Sequence, residues 1–511
     1  MRALLVTSVG VTCAAALTLP LAAPASSAPV LSSASARPPS LTTEPRTDTT
    51  DTIDTSGTTG TSGTTTSDTT APDGAEPRAA KSAAEPAGST QSLPLAPLAV
   101  PSNRVAGAPV VQGLPQRDAR PFSLVGVVWD DAEAELHGTV QVRTRATGTT
   151  RWSDWQDVET HNADHAADLG SAEREGRTVR GATAPLWVGD SDGVEVRVRP
   201  ESPAAEEAPG SQDRAATPVP LPEGMRLELV DPGEDPAPEP ARGAPANRAA
   251  VPAVFADTPP TAALPEVLTA EIAAASAVNA EVAELGATVI PALTQAETVE
   301  SVNLAPGAKP YIGPRPRIVT RKGWGADEKL RERNFGYTKS VKAAFVHHSA
   351  TGNNYTCKQA PSVLRSIYRY HVKSSGWRDF GYNFAVDKCG NIYEGRAGGV
   401  TKAVLGAHTL GFNTNTMGIA VLGSYGSTNP PAAAVTAVSK LTAWKLGLFG
   451  ANPKGKVTLV SGGSNKYRKG VKVKMNVISG HRDGFATECP GARLYKKLGT
   501  ARTSSAKLQG R

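Results

Sequence analysis

The sequence predicts an α/β domain with a central mixed sheet and flanking helices over residues 316–500, and an all-β, sandwich-like domain over residues 115–231. Three observations carry this prediction. In the C-terminal part, short apolar runs of strand length alternate with longer stretches of helical spacing, the pattern of an α/β sheet. In the middle, apolar and polar residues alternate in short runs separated by Gly, Asp and Pro turns. The remaining chain is rich in Thr, Ser, Asp, Ala and Pro and has little with which to build a core.

In chain order, Arg2 precedes the nearly uncharged run "ALLVTSVGVTCAAALTLPLAAPASSA". A basic n-region, an apolar h-region and small residues before a cleavage zone predict a signal peptide over 1–28 and hence a secreted protein, extracellular or attached to a cell wall. Prolines interrupt the run and no stop-transfer pattern follows, and no other stretch approaches the roughly 18 apolar residues of a membrane span. Residues 29–110 ("TDTTDTIDTSGTTGTSGTTTSDTTAPDG") are low-complexity chain with no aromatic residue, and are expected to be disordered.

Within 115–231 the strands are "FSLVGVVW", "TVQVRTRATG", "GVEVRVRP" and "GMRLELVDPG". Trp129, Trp152, Trp155 and Trp187 lie here. Trp152 and Trp155, three apart, would face opposite sides of a strand, leaving one to stack on sugar rings or to seal a sheet edge. His161 and His165 in "HNADH" hint at a metal, but nothing nearby supports a ligand set, so the segment reads as a polar loop. Residues 232–310 read as an Ala/Pro-rich linker: "LPEVLTAEIAAASAVNAEVAELGATV" could form one or two helices, but its apolar side chains are mostly alanine and bury little, which favours a mobile linker.

In 316–500, "VKAAFVHH" is an apolar strand and "APSVLRSIYRYHV" has helical spacing. "YNFAVDKCGNIYEGR" is a hairpin around Gly-Asn, "TMGIAVLG" a buried strand, "PAAAVTAVSKLTAWKLGL" a helix and "NVISGH" a final strand. Residues 501–511 are left as a tail. Residues 311–511 carry 33 Lys+Arg against 8 Asp+Glu, within a chain of net charge +6. So basic a domain in an exported protein suits peptidoglycan carboxylates or anionic wall polymers. No nucleic-acid recognition module accompanies the charge.

Of four cysteines, Cys13 falls in the signal peptide, leaving the odd set Cys357, Cys389 and Cys489. One of these must be free, intermolecular or metal-bound. Cys357 precedes a helix and Cys389 lies in a hairpin turn, surface positions suited to a disulfide, which leaves Cys489. His347 and His481 each lie at the C-terminal end of an expected strand, where side chains of neighbouring strands converge. Two histidines and a thiolate are a three-ligand set for catalytic zinc.

The motifs "RKGWGA", "FVHHSATG", "GWRDFGYNFAVDKCGNIYEGR", "GAHTLGFNTNTMGIAVLG" and "SGHRDGFATECPG" follow one another from Arg321 over roughly 180 residues. In this order they closely resemble the zinc-dependent N-acetylmuramoyl-L-alanine amidases of type 2, which include the peptidoglycan recognition proteins and a phage lytic amidase. The β-rich region ahead of them resembles the layout of secreted bacterial homologues. The resemblance implies Zn2+ held by His347, His481 and Cys489, with His348 packing beside them. It implies Tyr382 and Thr487 as catalytic groups, and His408, Asn413, Glu394 and Arg396 as groove residues, the last two alternatively a structural ion pair. Family members that bind peptidoglycan without cutting it typically lack the cysteine, so Cys489 favours hydrolysis of the amide between N-acetylmuramic acid and L-alanine. Non-catalytic peptidoglycan binding is the alternative.

Overall fold

Period-two burial builds the first sheet. In Gly138–Ala146 (β4), Val140, Val142 and Thr144 point inward, and in Leu186–Pro200 (β7) Val194, Val196 and Val198 do the same. The computed structural model describes residues 88–98, 110–160, 165–171, 173–201, 219–236, 268–302 and 310–511. The expected signal peptide and most of the low-complexity N-terminal region lie outside the described residues.

The β-domain comprises Ser89–Pro94 (β1), Ala96–Pro97 (β2), Gln112–Trp129 (β3), β4, Gln156–Val158 (β5), Gly181–Ala182 (β6), β7 and Arg226–Asp231 (β8). Its sheet runs β1-β8-β3-β7-β4-β5, with β2 and β6 paired to β3. Register shifts between β3 and β7 bend both long strands around a core of Phe122, Val127, Trp129, Val140, Val196 and Leu227. Two expectations change. The domain begins at Ser89, inside the stretch assigned to disorder, because β1 pairs along its whole length with β8 through backbone bonds that composition does not reveal. Trp152 and Trp155 do not face opposite sides: both rings lie against the Arg143 guanidinium, at 5.6 and 5.1 Å. Trp152 forms an isolated bridge to Arg145 and β5 starts only at Gln156, so the two do not share a continuous strand.

The C-terminal sheet is mixed, as expected, in the order β17-β11-β14-β12-β13-β10-β9. Its strands are Val289–Ile290 (β9), Ile318–Val319 (β10), Ala343–His348 (β11), Phe384–Val386 (β12), Ile392–Glu394 (β13), Thr416–Val421 (β14) and Ile478–Gly480 (β17). A separate hairpin is formed by Lys456–Val460 (β15) and Lys472–Asn476 (β16). The central strands β11 and β14 are parallel and buried on both faces, which is why they read as unbroken apolar runs. On one face Ala344, Val346, Ile419 and Val421 pack against Val438, Leu441 and Trp444 of the helix Ala432–Leu448. On the other face, Ala385, Ala420 and Tyr393 meet Val363, Leu364 and Ile367 of the helix Ala360–Arg369.

Two boundaries expected from sequence move. The Ala/Pro-rich stretch assigned as linker contributes a helix, Ala270–Ala277, the strand β9 and a helix, Gln295–Glu300, to this domain. The alanine helix buries little apolar surface itself. Its attachment is polar: buried Asn279 donates to Glu394 Oε1 (2.9 Å) and accepts from the Val400 amide (2.8 Å). The expected tail is the helix Leu498–Leu508, whose Ser505 hydroxyl meets Thr442 and the Ser439 carbonyl.

The two domains share a core. Leu124, Val128, Trp187 and Val230 of the β-domain are continuous with Trp324, Tyr355, Tyr368 and Tyr370. The Tyr370 hydroxyl donates towards Thr183 O (3.1 Å), and a Cβ on Gly126 would stand 2.4 Å from that hydroxyl, so only glycine admits the ring. Among the described residues, no helix is long and apolar enough to cross a membrane.

Candidate metal centre

Parallel pairing of β11 with β17 sets Val346 beside Gly480, so His347 and His481 emerge next to each other at the ends of neighbouring strands. His347 follows the alternation of Ala343 and Phe345 and therefore faces away from the Ala432–Leu448 helix. His481 opens the short helix His481–Gly484, after which the chain turns back to present Cys489. Thr487 Oγ1 accepts from the Cys489 amide (3.2 Å), so Thr487 holds the loop that carries the thiol.

His347, His481 and Cys489 are fully buried, and a fourth group, His165 of the β-domain, joins them. One donor atom from each of the four lies within 4.8 Å of every other. Cys489 Sγ stands 3.6 Å from His165 Nε2 and 3.8 Å from His347 Nδ1. Bonds of about 2.0–2.1 Å to nitrogen and about 2.3 Å to sulfur, at tetrahedral angles, require N···S separations of about 3.6 Å. The donor set thus fits a tetrahedral metal in its chemistry, and the two separations from Cys489 Sγ lie close to that edge length. His347 Nε2 lies 3.4 Å from Thr409 Oγ1, which turns the ring so that Nδ1 faces the thiol. Burial, followed by the imidazoles of His481, His165, His408 and His348, holds the His347 imidazole well below its ordinary pKa. It is therefore neutral, the state a metal needs.

The reading of "HNADH" as a polar loop is therefore corrected. His165 is 4 % exposed, with its ring centroid 4.4 Å from that of His481. The sequence signal was present, a histidine in an otherwise unexplained polar segment, but its partners lie more than 180 residues away and only the tertiary fold joins them.

The other residues singled out are distributed as follows. Tyr382 is buried, its ring centroid 5.2 Å from that of His347. His348 packs beside the site, accepting from the Tyr425 amide (3.3 Å) and facing Glu159 of the β-domain (3.4 Å). His408 is buried 5.4 Å from His347, its Nδ1 at 3.0 Å from Thr409 Oγ1. Asn413 closes the same loop, its Oδ1 accepting from the amides of His408 and Thr409 (2.7 and 3.0 Å). Glu394 and Arg396 do not pair with each other. Glu394 is turned into the protein, accepting from Asn279 and from the Arg321 amide (3.3 Å), whereas Arg396 pairs with Glu173 of the β-domain. Cys357 and Cys389 form a disulfide, and Cys489 is not disulfide-bonded.

Residues 337–492 match the family described as N-acetylmuramoyl-L-alanine amidase. Over 185 residues the chain is 32 % identical to peptidoglycan-recognition protein SC2 of Drosophila simulans, covering 36 % of this chain and 85 % of that protein. The chain belongs to the peptidoglycan recognition protein family. Its recognition-protein domain is also 31 % identical over 194 residues to a human N-acetylmuramoyl-L-alanine amidase, covering 36 % of this chain and 28 % of that protein. A Drosophila PGRP-LB structure aligns at 24 % identity and a TM-score of 0.29, covering 36 % of this chain and 92 % of that one. These relatives are animal proteins, not bacterial ones. Ahead of the recognition-protein domain, residues 63–219 match the family described as Rv3811 N-terminal galactose-binding domain-like. Membership ties the chain to peptidoglycan, as a binder or as an amidase.

Proposed function

We propose that the chain is a secreted, zinc-dependent N-acetylmuramoyl-L-alanine amidase acting on peptidoglycan. The observation that carries this reading is the buried Cys489 thiol, outside any disulfide, at tetrahedral-edge distance from the His347 nitrogen and grouped with His481.

His347, His481 and Cys489 would hold Zn2+, with Thr409 orienting His347 and Thr487 bracing the cysteine loop. When bound, zinc supplies Lewis-acid polarisation of the scissile carbonyl and a nucleophilic water at neutral pH. Tyr382, whose ring lies beside that of His347, would donate its phenolic hydrogen to the oxyanion that develops as the carbonyl carbon is attacked. Scission of the C–N bond leaves the lactyl carboxylate on the sugar. The departing L-alanine amine takes up the proton released by water.

The basic hairpin β15–β16 and its connection expose Lys456, Lys466, Arg468, Lys469, Lys472 and Lys474. That surface supports attachment to anionic wall polymers and a cell-wall location. The test is release of peptides with a free N-terminal L-alanine from purified peptidoglycan. Zinc-loaded wild type, His165→Ala and Cys489→Ala chains are compared with and without chelator, because the histidine of the β-domain is grouped with the other three donors. Release by either of the first two, abolished by chelator and by Cys489→Ala, is expected. Equal background release from all three overturns the amidase reading and leaves peptidoglycan binding.

A further inference from the structure

We propose that His165 is a fourth protein ligand of the metal, carried on a strap of the β-domain (the segment bearing His165, Asp168, Glu173 and Arg177) that packs over the site, so that the folded chain is a closed, latent form of the enzyme. The inference rests on the metal site proposed above and concerns how that site is kept shut. A catalytic zinc centre has three protein ligands and an open position, and a centre with four is closed. His165 Nε2 lies 3.6 Å from Cys489 Sγ, and its ring packs 4.4 Å from His481 and 5.7 Å from Tyr382. Its imidazole therefore occupies space beside both the other three donors and the Tyr382 ring, space that a substrate carbonyl approaching the metal would need.

The strap is anchored independently of any metal. Asn413 Nδ2 donates to Ala166 O (2.9 Å) and to Asp168 Oδ1 (2.8 Å), and the Gly411 amide donates to the same carboxylate oxygen (2.7 Å). Glu173 takes Arg396 in an ion pair, and its carbonyl accepts from Arg378 Nε (2.9 Å). Arg177 bonds the Glu332 carboxylate and the Trp377 carbonyl. Asn413 and Arg396, two of the expected groove residues, are thus occupied by the chain's own carboxylates, Asp168 and Glu173. The same cationic and amide groups would otherwise be available to the carboxylates of a peptide stem. A cavity of about 470 Å³ remains beside the strap, between Leu169 and Arg174 on one side and Trp377, Leu410 and Phe485 on the other. It gives the strap room to move aside while the domain core stays packed. Because the shared core around Tyr370 holds the domains together, opening is a local displacement of the strap rather than separation of the domains.

The experiment loads the full chain with cobalt(II) in place of zinc and follows the visible absorption during titration with azide, a small anion that enters only an open metal position. The wild-type spectrum is expected to be insensitive to azide. His165→Ala is expected to shift on azide addition and to lose cobalt to a competing chelator at least tenfold more readily. Asp168→Ala, which loosens the strap but leaves the imidazole in place, is expected to respond partially and serves if His165→Ala does not fold. A wild-type spectrum that shifts with azide as the variants do overturns the ligand assignment. An azide-insensitive wild type with responsive variants supports the closed centre even if no variant releases peptide, in which case only the amidase reading falls. Peptide release by His165→Ala at no more than the wild-type rate, from a chain whose wild-type release depends on zinc, overturns latency.

Discussion

Glu394→Gln tests how the fold around the site is held, because Glu394 is a carboxylate buried without a full counter-charge contact. It accepts one hydrogen bond from Asn279 (2.9 Å) and one from the Arg321 amide (3.3 Å). The Arg321 guanidinium is engaged elsewhere, by Glu328 and Asp379. Burial pushes the Glu394 carboxyl up to about 7 from its ordinary 4.5, against the lowering effect of Asn279 and Arg321. A raised folded-state value means that the folded protein holds a proton the unfolded chain has released. This contribution to stability is fully present below about pH 4.5 and is lost as pH rises through about 7. The gap corresponds to about 3 kcal/mol. Glutamine is neutral at every pH but cannot accept with its NH2, so it forfeits one of the two bonds, a constant cost of about 1 kcal/mol. In urea unfolding at about pH 4 the variant should therefore be less stable than wild type by that amount, and at about pH 8.5 more stable by about 2 kcal/mol. All other titrations are common to the two proteins and cancel. A stability difference that does not change between the two pH values refutes the reasoning and leaves Glu394 as an ordinary ionised carboxylate.

Cys489→Ala should reduce bound zinc from near-stoichiometric to a small fraction after dialysis, read by elemental analysis, while the circular dichroism of the chain is kept. Tyr382→Phe should keep zinc binding and lower the turnover of the His165→Ala chain by about 100-fold, the usual loss for one oxyanion donor, with little change in KM. Replacing both Cys357 and Cys389 with serine opens a loop of sequence separation 32 and should lower stability by about 3 kcal/mol in denaturant unfolding. Trp324→Ala removes a fully buried ring packed edge-on to Tyr368, together with its indole bond to the Glu394 carbonyl (2.7 Å). It should cost about 3–5 kcal/mol.

The recognition-protein domain was legible because its signals are local. "VKAAFVHH" and "TMGIAVLG" are buried on both faces and so are uninterrupted apolar runs, and the hairpin "YNFAVDKCGNIYEGR" carries its turn residues within it. His347, His481 and Cys489 could be singled out because expected strand ends bring the histidines together and an odd cysteine in a chain expected to be exported needs a reason. Elements that depend on backbone pairing or on single buried polar groups were not legible. Strand β1 has an unremarkable composition and is defined by its pairing with β8. A helix over Ala270–Ala277 was within the sequence's reach, but its place in the domain was not, because it is fastened beside Asn279 rather than through a hydrophobic stripe.

The sequence by itself determined the two fold classes, the disulfide pair and three of the four grouped donors, because periodicity and motif spacing express which face of each element is buried. Only the tertiary structure decided what faces those donors. His165, Asp168 and Glu173 are ordinary polar residues of a β-domain segment, and they reach Cys489, Asn413 and Arg396 because an apolar core fuses the two domains. Contacts between residues so distant in the chain leave no periodic trace in either segment, since a polar side chain that meets a partner across an interface is patterned like one that meets water.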